Sequence, residues 1–122
     1  MNILTGKKGE QLAEGFLRKK GYSILKRNYR TPVGEIDLIC LEKETLIFVE
    51  VKTNQTNEFG LAQERVHLKK QKQIIKTAWT FLKEKEMLDV DFRFDVVGVD
   101  LSNPSCDKIE HIENAFDGNQ YS

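Results

Sequence analysis

Asp37, Glu50 and Lys52 stand on two short apolar stretches, Gly34-Glu35-Ile36-Asp37-Leu38-Ile39 and Phe48-Val49-Glu50-Val51-Lys52. Strand side chains alternate between faces, so Glu50 and Lys52 share one face, as do Glu35 and Asp37. The opposite face of the second stretch carries Ile47, Val49 and Val51, which reads as core. A strand this apolar is buried, and buried acids or ammoniums are costly unless they are paired or hold a metal. Two carboxylates and a lysine suit a divalent cation and an attacking water beside a phosphodiester. Hard oxygen donors on rigid strands favour Mg²⁺ or Mn²⁺. Asp37 and Glu50 are therefore the candidate metal ligands. The cation would polarise the phosphate and lower the pKa of a bound water. Lys52 would orient that water and offset charge in the transition state. The rival reading of the trio is a cross-strand ion pair.

The elements that must position these groups follow from periodicity. Residues 5–20 read as a helix, with Thr5 as its cap and Gly21 as a left-handed stop. Leu12, Ala13, Phe16 and Leu17 share its apolar face, and Glu10 falls at the edge of that face. Residues 22–30 read as an edge or second-layer strand with Tyr22, Ile24 and Leu25 as inward candidates, and Thr31-Pro32-Val33-Gly34 as a turn. Strands over 34–41 and 45–52 form an antiparallel hairpin through Glu42-Lys43-Glu44. Residues 53–60 are polar and loop-like, and should lie over the site. A long helix over 63–86 lines one face with Leu68, Gln71, Ile75, Ala78, Trp79 and Leu82. Residues 91–99 read as a strand and 108–113 as a short last one. The expectation is a single domain over 1–117, with 118–122 a disordered tail. Its class is α/β, a mixed sheet flanked by helices.

The spacing of Asp37 and Glu50-Val51-Lys52 resembles the PD-(D/E)xK nuclease superfamily. Further residues extend the resemblance: Gly6-Lys7-Lys8-Gly9-Glu10, Ala13, Gly21-Tyr22, Asn28 and Arg30 before Gly34; Phe59-Gly60, Val66, Lys69 and Ala78 after Lys52; then Arg93-Phe94-Asp95-Val96-Val97 and Ile112-Glu113-Asn114-Ala115-Phe116. Over roughly residues 5–117 the chain resembles the YraN family, also called UPF0102, described as predicted endonucleases and similar to archaeal Holliday-junction resolvases. The resemblance implies a restriction-endonuclease-like αβββαβ core and metal-dependent cleavage of DNA, on branched or flapped structures. It adds the Val51 carbonyl as a metal ligand and Glu10 as a further catalytic carboxylate. The plainer reading of Glu10 is a first-turn acid favoured by the helix dipole. Resolvase-like enzymes work as dimers on two-fold substrates, so a homodimer is also implied.

Charge bears on the partner. The chain carries 19 basic and 19 acidic residues for a net charge of zero, which weighs against strong nonspecific nucleic-acid binding. It leaves open a non-catalytic nucleic-acid-binding or partner-binding module, recruited by another protein, and an RNA nuclease in place of a DNA nuclease. The charge is unevenly spread, with basic helical segments and acidic strand-rich ones. On the long helix Arg65, Lys69, Lys72, Lys76 and Lys83 fall on one arc, where they would follow a phosphate backbone or form a solvated face. Lys69 is the leading candidate, with Arg27 and Arg30 as further contacts. Tyr29 and Phe59 are candidates for base stacking, whereas Trp79 and Phe81 sit at core spacing. Glu35 and Asp95 are candidate supports for the metal ligands, or else a surface acid and a structural partner of Arg93 or Arg30. Cys40 and Cys106 lack ligand spacing and read as free thiols in a reducing cytoplasm. His67 and His111 are too isolated for a zinc site. No apolar run approaches a membrane span.

Overall fold

The computed structural model describes residues 3–54 and 66–118. Helix α1 (Ile3–Lys19) leads into β1 (Ser23–Arg30), β2 (Glu35–Glu42) and β3 (Thr45–Asn54). Helix α2 (Leu68–Glu84) then crosses to β4 (Phe92–Asp100), and β5 (Lys108–Phe116) closes the chain. The five strands form one sheet in the order β1-β2-β3-β4-β5. Neighbours are antiparallel except β3 and β4, which are parallel and joined through α2. This is the expected αβββαβ order in a mixed sheet, with one further strand.

Both faces of the sheet are covered. Against α1 lie Leu38, Cys40, Ile47, Val49, Val97 and Val99 with Ala13, Leu17 and Tyr22. Against α2 lie Ile39, Leu46, Phe48, Phe94 and Val96 with Ile75, Ala78, Phe81 and Leu82. β3 is thus apolar on both faces because it is central, as parallel strands under a crossover helix must be. Phe48 and Phe94 stack at 5.4 Å, and Phe94 and Phe116 at 5.1 Å, which ties β3 to β4 and β4 to β5.

Helix α1 begins before Thr5, so Thr5 lies inside the helix and is not its cap. Its far end follows the sequence: Gly21 has φ +96°, the Gly21 amide donates to the Arg18 carbonyl, and the Tyr22 amide donates to the Leu17 carbonyl. On α2, Leu68 is 58 % exposed, against the expectation that it joins the buried face. It is the first helical residue, and burial on α2 begins only at Ile74. Leu25 is 46 % exposed because β1 slips register between Ile24 and Lys26 and turns it outward. Tyr29 is buried, edge-on to Phe81 with its hydroxyl donating to Glu84, so it offers no stacking surface. Cys40 is a buried free thiol and Cys106 an exposed one. The loop expected over 53–60, with Phe59, and the helix start at 63–65 lie largely outside the described residues, as does most of the tail. Gly118 is described and packs on Phe94.

Two glycines of α1 behave oppositely. A Cβ on Gly9 would collide with Thr53 Oγ1 and press on Thr53 Cβ at 3.0 Å, whereas one on Gly15 meets nothing within 4 Å. Gly9→Ala should destabilise by about 1–3 kcal/mol through overpacking. Gly15→Ala should stabilise by about 0.5–1 kcal/mol through helix propensity. Urea denaturation midpoints of the two variants test this; equal shifts would mean that α1 does not press on β3 at Gly9.

Candidate metal and phosphodiester site

The site lies where β2 and β3 part. Their pairing runs from Glu42↔Thr45 to Leu38↔Val49. Continuing that register sets Asp37 opposite Glu50, on the face of Ile39 and Phe48, toward α2. Beyond this point the Asp37 side chain replaces the strand as partner: the Val51 amide donates to Asp37 Oδ2 at 2.8 Å. The carboxylate is therefore fixed by β3 main chain while projecting from β2. The β1 register likewise sets Asn28 opposite Asp37, between Arg27↔Leu38 and Tyr29↔Ile36.

Glu50 is only 5 % exposed. Burial, then the charge of Asp37, pushes its carboxyl up to about 8, and a hydrogen bond with Asp37 adds to the rise. Burial also raises Asp37, opposed by that hydrogen bond and by the Val51 amide. Two ammoniums face the same oxygen: Lys52 Nζ stands 3.7 Å and Lys70 Nζ 3.8 Å from Glu50 Oε2. Both distances exceed a directed hydrogen bond, so the attraction is a charge interaction at longer range. Burial first, and then the repulsion between the two acids, favours a proton at the pair, and the two ammoniums only partly offset this. Such a pair suits a divalent cation, which displaces the proton and satisfies both oxygens.

Glu10 reaches toward the fork from α1. Burial raises its carboxyl first, and the charges of Asp37 and Glu35 raise it further. Asn28 Nδ2 donates to Glu10 Oε1 at 3.1 Å, and Asn28 itself takes a left-handed φ of 50° within β1. Glu10 and Asn28 also line a cleft of about 360 Å³ with Lys7, Gln11 and Leu38. Among the described residues no three His, Cys, Asp or Glu side chains gather closely enough to hold a metal unaided. Two carboxylates, a main-chain carbonyl at Val51 and water are nevertheless a donor set that Mg²⁺ accepts.

The profile of the "Uncharacterised protein family UPF0102" matches residues 9–99, which span Glu10, Asp37, Glu50, Lys52 and Lys70. The chain belongs to this family. It is similar to UPF0102 proteins of Geobacter sulfurreducens (44 % identity over 116 residues, 95 % of this chain and 91 % of that one) and Desulfosudis oleivorans (47 % over 114 residues, 93 % and 90 %). One from Chloroherpeton thalassium is 45 % identical over 122 residues, 94 % of this chain and 95 % of the other. Among solved structures, Pyrococcus furiosus SfsA in complex with Ca²⁺ aligns at 21 % identity with a TM-score of 0.39, covering 90 % of this chain and 62 % of that one.

In this UPF0102 chain the other expected residues fall elsewhere. Glu35 pairs with Arg30 at 3.2 Å at the strand start, and it touches the site only through its charge. Asp95 does not support the metal ligands. It faces α1, fully buried, and receives Arg93 Nε at 3.0 Å, His111 Nε2 at 2.8 Å and the Asn114 amide at 2.9 Å. Lys20 donates to His111 Nδ1 at 2.7 Å, which leaves the Nε2 proton for Asp95. Arg27 is taken up by Glu14 at 2.6 Å. Lys69, Lys72 and Lys76 are exposed along α2, and Arg65 lies outside the described residues. Lys70, which the charge arc passed over in favour of Lys69, is the α2 lysine that meets Glu50. Helical spacing alone does not reveal which of two adjacent lysines turns toward the sheet. Among the described residues no helix is long and apolar enough to cross a membrane.

Proposed function

We propose that this protein is a divalent-metal-dependent endonuclease that hydrolyses DNA phosphodiester bonds, with branched or flapped DNA as its substrate class. The observation that carries this reading is the buried Asp37–Glu50 pair at the β2–β3 fork, short of positive charge and flanked by Lys52. When bound at Asp37, Glu50 and the Val51 carbonyl, Mg²⁺ or Mn²⁺ supplies Lewis-acid polarisation of the phosphate and a water of lowered pKa. The chain supplies the rest. Asp37, clamped by the Val51 amide, gives the site its rigidity. Lys52 holds the attacking water and offsets charge on the phosphate oxygens. Glu10, reaching toward the fork from α1, would add a further carboxylate to the site. The exposed lysines Lys69, Lys72 and Lys76 contact backbone phosphates, a sequence-independent role that fits structure-directed substrates.

The test is Mn²⁺ titration of wild type and Asp37→Ala by calorimetry, run beside cleavage of linear, flapped and four-way DNA and matched RNA. Wild type should bind Mn²⁺ and cut flapped or four-way DNA, and Asp37→Ala should do neither while keeping its fold. Preference for RNA would move the substrate to the other nucleic acid. Salt-sensitive DNA binding without cleavage, unchanged in Asp37→Ala, would replace the enzyme with a binding module.

A further inference from the structure

Resting on the nuclease reading above, one residue gains a role that the Asp37, Glu50 and Lys52 motif does not contain. Glu50 Oε2 is faced by two ammoniums from different elements. Lys52 comes from the same strand, two residues on, and its position follows Glu50 whatever α2 does. Lys70 comes from the first turn of α2, across the fork, on a long side chain that is 39 % exposed. Its separation of 3.8 Å from Oε2 places it on the α2 side of the acid pair. A divalent cation between Asp37 and Glu50 adds two positive charges next to both lysines. Like charges this close repel strongly in a partly buried site. Withdrawal of one ammonium relieves this, and the helix lysine, the more exposed of the two at 39 % against 30 %, can withdraw by side-chain rotation alone.

We propose that Lys70 is a displaceable counter-cation and a catalytic residue: it offsets part of the charge of the Asp37–Glu50 pair in the metal-free protein and passes to the scissile phosphate when metal binds. Lys70 then serves the two states in turn. Before metal arrives it stands in for part of the missing charge. Afterwards it is a second cation beside the reacting group, supplied by α2 where Lys52 is supplied by β3. The substrate phosphate offers it the negative charge that the metal has removed at Glu50. No covalent step is involved; only the ionic partner of one ammonium changes.

The role predicts a combination of effects that a mere helix-surface lysine would not give. Lys70→Met should tighten Mn²⁺ binding about tenfold, because a competing cation is gone. It should also lower the turnover number by about 10²-fold, the scale of losing one preorganised cation, with little change in KM. Lys70→Arg keeps the charge, so its Mn²⁺ affinity should stay within about twofold of wild type and part of the turnover should return. Lys69→Met, one residue away and exposed, should leave Mn²⁺ affinity unchanged and raise KM with a shallower salt dependence. Calorimetric Mn²⁺ titration without substrate, followed by cleavage kinetics on the preferred DNA, reads all four proteins. Unchanged or weaker Mn²⁺ binding in Lys70→Met would overturn the counter-cation role, and unchanged turnover would overturn the catalytic one; either result leaves the nuclease reading standing if wild type binds metal and cuts. Absence of Mn²⁺ binding by wild type would overturn both proposals together.

Discussion

Glu50→Gln is expected to make the metal-free protein more stable and the metal-dependent one inactive. The sign follows from linkage. Burial and the Asp37 charge raise the folded-state carboxyl of Glu50 to about 8, well above its range in an unfolded chain. Between that ordinary range and about 8, the folded state holds a proton that the unfolded state has lost. The stabilising effect is therefore complete at low pH and disappears as pH rises through the window. The acids titrate as a pair, so the transition belongs to Asp37 and Glu50 together. A glutamine reproduces the protonated acid: its amide donates to Asp37 and carries no charge to repel it. Wild type and Glu50→Gln should thus melt together near pH 5 and diverge toward pH 8, with the variant higher by about 4 °C for each kcal/mol of relieved repulsion. Mn²⁺ should raise the melting temperature of wild type increasingly toward alkaline pH, since binding must displace the proton. It should leave Glu50→Gln unmoved, and cleavage should fall by about 10²–10³-fold or more. A melting curve of wild type that is flat from pH 5 to 8 without metal would remove the charge-deficient pair from the argument.

Asp95→Ala is expected to cost the fold itself. Burial alone would raise this carboxyl, but hydrogen bonds from His111, Arg93 and the Asn114 amide outweigh it and hold it below the ordinary range. Its stabilising effect is present above that range and is lost as pH falls through the lowered value, the reverse of Glu50. Removing it strands Arg93 and His111. Arg93 retains Glu113 at 3.1 Å and Glu42 at 3.7 Å, both of them more exposed partners. Breaking a buried charge pair from one side costs about 3–5 kcal/mol, a large share of the 5–15 kcal/mol typical of a domain. Asp95→Asn should recover little, because its amide would place donors against the donors of Arg93 and His111. Chemical denaturation should show the loss in both variants, and a shift under about 1 kcal/mol in Asp95→Ala would mean that the network is dispensable. Together, Asp95 and Glu50 bracket the metal-free protein, with stability falling on the acid side through one and on the alkaline side through the other.

The two acids also mark how far the sequence could be read. Asp37, Glu50 and Lys52 were legible because a strand has period two, and a charged residue in an apolar strand must be explained. Gly21 was legible because few residues tolerate a left-handed stop. The sequence leaves Asp95 either beside the metal ligands or paired with Arg93 or Arg30; the structure gives the Arg93 pair, and its other partners, His111 and Asn114, come from the distant strand β5. Helix α2 is the least legible element. Leu68 is apolar yet lies outside the packed turns, and the arc of cations points to Lys69 whereas the docked helix turns Lys70 to Glu50. A rotation of 100° per residue separates the two lysines, and only the docked position of α2 decides which faces Glu50.

The two outer strands have one more effect, on self-association. β1 slips register at Leu25 and turns left-handed at Asn28, and β5 breaks register opposite Phe94–Val96 and turns left-handed at Asn114. β1 carries Lys26, Arg27 and Arg30, while β5 carries Glu110 and Glu113. Kinks and like charges of this kind keep a sheet margin from templating a further strand. Arg27 and Arg30 are paired with Glu14 and Glu35, and Glu113 with Arg93, so it is chiefly the kinks that set both margins against sheet-to-sheet pairing of two copies.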